Sequence, residues 1–204
     1  MNSPYIRKVL GKKVSIELGV PTEPGWVHVI LENFDAFLAD HADCERKASA
    51  LAMHLVSKCP DREGMISPLI ELALEELEHF RAVYDLMRRR GVRLLQRSIR
   101  DPYVNRLGET LRPGREDRLL DRLLIASIIE SRGAERFKIL ADHLKDELEA
   151  FYRRLYAAET KHGSLFLKLA LRYFDRETVE ARLSELIKKE ADIIRTLEWR
   201  PSLH

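Results

Sequence analysis

The sequence predicts an all-α fold: a four-helix bundle with one long crossover connection and an added C-terminal helix. Apolar side chains recur at helical spacing along four long stretches, and no strong strand alternation follows residue 25. The longest connection, residues 91–115, lies between the second and third helices and contains Pro102, Gly108, Pro113 and Gly114. Four long helices joined in this way describe a ferritin-like bundle.

Residues that end or begin helices give the boundaries. Pro60 cannot continue the first helix, Gly91 ends the second, and Asp175 is a suitable N-cap for a fifth. The predicted helices cover about 26–58, 64–90, 116–144, 145–173 and 176–197, and Gly133 allows an interruption of the third.

The whole chain, 1–204, is predicted to be one ferritin-like domain. Residues 1–25 are read as an irregular arm with a short extended piece at 13–18, and residues 91–115 as a loop with little regular structure. Residues 26–173 would form the bundle, and residues 174–204 a helix on its flank.

The composition narrows the class of protein. With 45% hydrophobic and 33% charged residues over 204 positions, the chain is an ordinary globular protein with a sizeable core. Two cysteines, Cys44 and Cys59, are too few for a disulfide framework or an iron–sulfur cluster. No apolar run reaches membrane-spanning length and the N-terminus lacks a signal-peptide pattern, so we expect a cytoplasmic protein without membrane contact.

Two Glu-x-x-His motifs stand on predicted helices, Glu76 with His79 and Glu159 with His162. Residues three apart project to the same side of a helix, so each pair can reach one metal ion. Either motif alone is more often a surface pair. Both glutamates, however, lie in the middle of the apolar stripe of their helix, which is the face expected to be buried.

The first and third helices each supply one further inward glutamate. Glu45 lies among apolar residues of the first helix, and Glu130 lies among those of the third. Glu135 lies about 140° away from that stripe and is expected to be a peripheral group. The intervals Glu45–Glu76 and Glu130–Glu159 are similar, as expected for two equivalent half-sites.

Charge compensation favours a metal-binding role for these glutamates and histidines. Four ionised carboxylates buried together would be very costly, and two divalent cations would offset them with ligands that such cations prefer. The sequence therefore predicts a di-iron or di-manganese centre held by Glu45, Glu76, His79, Glu130, Glu159 and His162. No catalytic residue apart from these ligands is assigned. His41 and Tyr84 are candidates for supporting roles around the metal, although ordinary core packing is the favoured interpretation of both.

A basic segment, residues 88–100, lies at the end of the second helix. It contains Arg88, Arg89, Arg90, Arg93, Arg97 and Arg100 with no acidic residue between them. Such a patch can contact nucleic-acid phosphates, and it also suits a helix C-terminus electrostatically. The net charge of +2 is close to balanced, so any nucleic-acid affinity must be local.

The blocks around the ligands resemble the tRNA 2-methylthio-N6-isopentenyl-adenosine hydroxylase family, and the resemblance extends over nearly the whole chain. The segments that carry it are 24–26, 40–48, 75–80, 130–137 and 159–162.

This resemblance implies a di-iron monooxygenase that hydroxylates the isopentenyl side chain of a modified adenosine in tRNA. It implies two iron ions, O₂ as co-substrate, and two electrons from an external ferredoxin or reductase. By the same resemblance Glu76 and Glu159 would bridge the irons, with Glu45, His79, Glu130 and His162 completing their coordination. Two alternatives remain open: another ferritin-like di-iron protein, such as a peroxidase or ferroxidase, and a metal-free helical adaptor.

Overall fold

The computed structural model describes residues 4–9, 13–98 and 100–204. In these residues a two-stranded hairpin precedes seven α-helices. The elements are β1 Ile6–Val9, β2 Lys13–Ile16, α1 Gly25–Glu32, α2 Phe34–Lys58, α3 Glu63–Arg90, α4 Pro102–Gly108, α5 Arg115–His143, α6 Asp146–Tyr173 and α7 Arg176–Thr196. The predicted fold class, all-α and ferritin-like, is confirmed.

The chain divides into two compact units. The α2–α3 unit comprises Gly25–Arg100 and Trp199–Leu203. The α5–α6 unit comprises Met1–Pro24, Asp101–Glu198 and His204. The assignment of 1–204 to one domain stays a prediction.

In the α2–α3 unit, two long helices pack along each other through their apolar stripes. Leu38, Leu55, Leu69 and Val83 are completely buried. The Ser49 hydroxyl of α2 donates a hydrogen bond of 2.9 Å to the Ala73 carbonyl of α3, which fixes the two helices against each other near the middle. Gly91 ends α3 with a φ of 73°, a left-handed conformation that glycine adopts without strain.

In the α5–α6 unit, α5 and α6 form the second long pair, and α7 and β2 pack on it. Asp175 caps α7 as predicted, because its carboxylate accepts hydrogen bonds from the backbone amides of Glu177 and Thr178 at 3.1 and 2.8 Å. β1 and β2 pair antiparallel, with Ile6 opposite Ile16.

A buried polar cluster ties the segment that follows the hairpin to α5 and α7. The guanidinium of Arg132, which is completely buried, donates to Glu190 at 2.9 Å and to the Val20 carbonyl at 2.9 Å. The Thr22 hydroxyl donates to Glu135 at 2.7 Å, and Glu135 also accepts from Arg132. Removing one partner of such a pair generally costs about 3–5 kcal/mol, because the remaining charge stays buried. This cluster therefore fixes the path of residues 20–22.

The first predicted helix, 26–58, is wrong as a single element. It is divided into α1 and α2 at Asn33, which has a φ of −128° and donates its side-chain amide to the Val29 carbonyl at 3.0 Å. This local hydrogen bond competes with the regular helix pattern. The interruption allowed for at Gly133 does not occur, because α5 runs unbroken through this buried position.

Two segments expected to be irregular contain regular structure. Within 1–25 the chain forms the hairpin, of which only the second strand had been expected as an extended piece. Within 91–115 it forms α4, whose first turn is capped by Asp101 and begins with Pro102. Residues 1–3, 10–12 and 99 of these two segments lie outside the described residues.

Membrane association was not expected. Among the residues that the structure describes, each helix is too short or too polar to reach across a lipid bilayer.

Candidate functional site

Three of the predicted ligands lie in the α2–α3 unit. Glu45 comes from α2, while Glu76 and His79 come from consecutive turns of α3. Glu45 is 4% exposed and Glu76 only 1%, so both carboxylates are buried as their places in the apolar stripes predicted. The helical periodicity therefore placed these acidic side chains correctly.

These side chains converge. His79 Nδ1 lies 3.3 Å from Glu76 Oε2 and 3.7 Å from Glu45 Oε2. The second oxygen of Glu45, Oε1, lies 2.7 Å from Nε2 of His41, one helical turn earlier on α2. Two carboxylates and an imidazole nitrogen thus face one another, with a further imidazole behind Glu45.

The ionisation of these groups is strongly perturbed. Burial alone would raise the pKa of the Glu45 carboxyl, but contacts with His41 and His79 hold it well below its usual range. Burial alone would lower the pKa of His79, but contacts with Glu45 and Glu76 raise it to about 9. At neutral pH the metal-free cluster therefore contains the buried carboxylate of Glu45 compensated by the imidazolium of His79.

The other three predicted ligands lie in the α5–α6 unit. Glu130 comes from α5, while Glu159 and His162 come from α6, and all three side chains are buried. His162 Nδ1 lies 3.4 Å from Glu159 Oε2. The same two atoms of the Glu-x-x-His motif face each other at nearly the same distance as in α3.

Close packing between α5 and α6 brings Glu130 beside the second motif. The Ser127 hydroxyl donates a short hydrogen bond of 2.6 Å to the Gly163 carbonyl. A Cβ atom at Gly163 would lie 3.0 Å from Ser131 Oγ and 3.5 Å from the Cβ of Glu130. Glycine at this position therefore permits the helices to approach at the level of the acidic residues. Ser127 was not singled out from the sequence, since a small polar residue carries no periodic signal of its own.

The other residues considered from the sequence make contacts of a different kind. Glu135 is engaged by Thr22 and Arg132, in keeping with its expected peripheral place. Tyr84 is 36% exposed and stacks on Phe80. Cys44, which was given no role, lies with its sulfur 3.7 Å from Asp40.

All six arginines of the predicted basic patch are exposed. Arg88, Arg89 and Arg90 form the last turn of α3, and Arg93, Arg97 and Arg100 follow in the connection. Acidic side chains lie near the helical end of the patch, since Arg90 Nε is 2.6 Å from Asp35 and Arg88 is 3.7 Å from Asp85.

The donor chemistry of both half-sites suits a divalent metal. Carboxylate oxygen and neutral imidazole nitrogen are the ligands preferred by iron, manganese and zinc. In each half-site such groups lie at a buried position, where uncompensated negative charge is costly. The two Glu-x-x-His motifs, Glu76 with His79 and Glu159 with His162, therefore offer ligand atoms that could hold a metal ion.

We predict that the raised pKa of His79 makes the stability of the metal-free protein depend on pH. Because the folded-state pKa of about 9 exceeds the ordinary 6.5, the stabilisation is complete below pH 6.5 and is lost as the pH rises towards 9. Urea unfolding of chelator-treated protein at pH 6, 7.5 and 9 should show this loss. The His79→Gln variant removes the titrating group and should lose less stability over the same range. Parallel curves for the two proteins would contradict the prediction.

Two known tRNA hydroxylases are similar in sequence to this chain. A tRNA 2-(methylsulfanyl)-N(6)-isopentenyladenosine(37) hydroxylase of Pseudomonas putida is 36% identical over 188 residues, covering 92% of this chain and 91% of that protein. The protein of the same name from Salmonella typhimurium is 26% identical over 87% of this chain and 83% of its own length.

A solved structure extends the comparison to three dimensions. It is described as protein 43 with aldehyde deformylating oxygenase activity from Synechococcus. It is 34% identical and superposes with a TM-score of 0.86 over 92% of this chain and 94% of its own. The family model described as tRNA-(MS[2]IO[6]A)-hydroxylase (MiaE) matches residues 10–204. With nearly its whole length matched, this chain belongs to the tRNA-(MS[2]IO[6]A)-hydroxylase family.

Proposed function

We propose that this chain is a non-haem di-iron monooxygenase that hydroxylates the isopentenyl side chain of 2-methylthio-N6-isopentenyl-adenosine in tRNA. The single observation that carries the proposal is the duplicated, buried arrangement of a glutamate beside a Glu-x-x-His motif, in a chain that belongs to this hydroxylase family. A cytoplasmic location follows from a tRNA substrate.

The metal ligands proposed are Glu45, Glu76, His79, Glu130, Glu159 and His162, holding two iron ions. Charge supports the number of ions, because the four negative charges of the carboxylates balance two divalent cations. The two imidazoles add neutral nitrogen ligands. The near-identical geometry of the two motifs, at 3.3 and 3.4 Å, supports equivalent use of His79 and His162.

The reaction inserts one atom of O₂ into a carbon–hydrogen bond of the isopentenyl group and converts the other atom to water. It therefore consumes two electrons and two protons for each hydroxyl group formed. An iron pair supplies the activation of O₂ when it is bound. The chain contributes the fixed carboxylate and imidazole ligands and a buried setting, which limits access of water to reactive species.

The electrons would come from another protein. Two cysteines, one half-buried and one buried, cannot hold an iron–sulfur cluster. A ferredoxin or a flavin-containing reductase is the class of donor that the reaction needs.

Catalysis should depend on the buried glutamates of the motifs and not on exposed neighbours. We predict that Glu76→Ala and Glu159→Ala each lower the rate of tRNA hydroxylation by at least about 100-fold and reduce bound iron below two per chain. The measurements are nucleoside analysis of 2-methylthio-N6-isopentenyl-adenosine tRNA after reaction, and metal analysis of the same protein samples.

Glu78→Ala is the matched control, because Glu78 lies on the same turn of α3 with 71% of its side chain exposed. It should retain both iron and activity. Full activity and two irons in Glu76→Ala would refute the proposed centre. Full iron content without hydroxylation in the wild-type protein would favour a ferroxidase or peroxidase instead.

The basic patch is proposed to bind tRNA phosphates. We predict that the double variant Arg93→Ala with Arg97→Ala weakens tRNA binding and lowers the salt dependence of log K by about 2, because each arginine that binds a phosphate contributes about 1 to that slope. Filter binding or fluorescence anisotropy between 50 and 200 mM salt measures both quantities. Arg153→Ala with Arg195→Ala, which removes two exposed arginines of α6 and α7, should change neither. Equal weakening in the two double variants would show that the patch has no special role.

A second candidate activity comes from the Synechococcus structure, whose description names aldehyde deformylating oxygenase activity. Its identity of 34% is close to that of the Pseudomonas putida hydroxylase, so the comparison alone does not rank the two. Incubating the iron-loaded, reduced protein with aldehydes of several chain lengths and assaying formate distinguishes the two activities. Formate release without tRNA hydroxylation would favour the aldehyde activity.

A further inference from the structure

A buried histidine that is not among the proposed ligands holds one of the glutamates. His41 Nε2 lies 2.7 Å from Glu45 Oε1, and neither side chain is more than 5% exposed. A carboxylate can only accept at this distance, so the imidazole N–H is the donor. The other oxygen, Oε2, is the one that faces His79, at 3.7 Å. The two oxygens of Glu45 are thus assigned to different partners.

The position of His41 is set by its own helix. His41 and Glu45 are one turn apart on α2, a spacing that stacks side chains on the same face. The imidazole also stacks on the ring of Phe37, one turn earlier, with 5.6 Å between ring centroids and 29° between their planes. Phe37 is itself completely buried, so the imidazole has little freedom to turn away from the carboxylate.

The equivalent position in the other half-site differs. Four residues before Glu130 stands Ala126, whose methyl group cannot donate a hydrogen bond. The neighbouring hydroxyl of Ser127 is directed to the Gly163 carbonyl at 2.6 Å. The two half-sites therefore share their Glu-x-x-His geometry but differ at the residue one turn before the glutamate of the first helix of each pair, which is His41 in one and Ala126 in the other.

We infer that His41 is a positioning residue that reserves Glu45 Oε1 and leaves only Oε2 to bind a metal ion, which makes the two metal positions inequivalent. The inference rests on the proposed function, since it presupposes that metal binds both half-sites. Outer hydrogen bonds of this kind orient a ligating carboxylate and raise the metal affinity of its site.

Iron binding to the metal-free protein tests this without reference to turnover. The wild-type protein loaded with ⁵⁷Fe(II) is expected to bind two equivalents and to give two Mössbauer doublets of equal area. In His41→Ala one doublet should shift while the other is unchanged, and the dissociation constant of one equivalent should rise about 10–100-fold. His41→Gln, whose amide N–H can donate to the carboxylate, should restore most of the affinity and the original doublet.

The possible outcomes distinguish the role of His41 from the di-iron proposal. Two doublets that remain unchanged in both variants, with unchanged affinity, would overturn the role of His41 and leave the di-iron proposal intact. Equal weakening of both equivalents in His41→Ala would also overturn it, because a general loss of structure moves both positions. Failure of the wild-type protein to bind iron would overturn the proposed function and this inference together. Circular dichroism of all three proteins checks folding, and His41→Gln keeps the test decisive if His41→Ala does not fold.

Discussion

The fold depends on one electrostatic constraint: four glutamate side chains are buried on the inner faces of long helices. Glu45, Glu76, Glu130 and Glu159 are each at most 9% exposed, where an ionised carboxylate without compensation is strongly destabilising. In the α2–α3 unit two imidazoles lie against these carboxylates and hold the pKa of Glu45 low, while the carboxylates hold that of His79 high. The proposed metal ions would take the place of the protonated imidazole and would compensate the negative charge of the carboxylates more strongly.

Helical periodicity made much of this arrangement predictable. Glutamates placed mid-stripe among leucines and alanines must be buried if the helices form, and the fixed spacing of Glu-x-x-His brings the two side chains to one side. The same reasoning separated Glu130 from Glu135, whose carboxylate binds Thr22 and Arg132 instead. The long helices, the helix end at Gly91 and the helix N-cap at Asp175 were likewise predicted from local residue preferences.

Features that depend on contacts between segments distant in sequence could not be predicted in the same way. The close approach at Gly163 depends on Ser127 of another helix. β1 and β2 are short and show no clear alternation of apolar and polar residues, and β2 packs on α5 and α6. Even the local break at Asn33 arises from a side-chain hydrogen bond that many asparagines in helices do not make. His41 was already a candidate for a supporting role, but the sequence alone did not identify Glu45 as its partner.

Locating iron directly is the most decisive measurement. Crystals grown with Fe(II) without oxygen, and measured on both sides of the iron absorption edge, should show two anomalous peaks. One should lie within bonding distance of His79 Nδ1 and the other within bonding distance of His162 Nδ1. Crystals that contain iron but show no peak beside either imidazole would contradict the proposed di-iron centre.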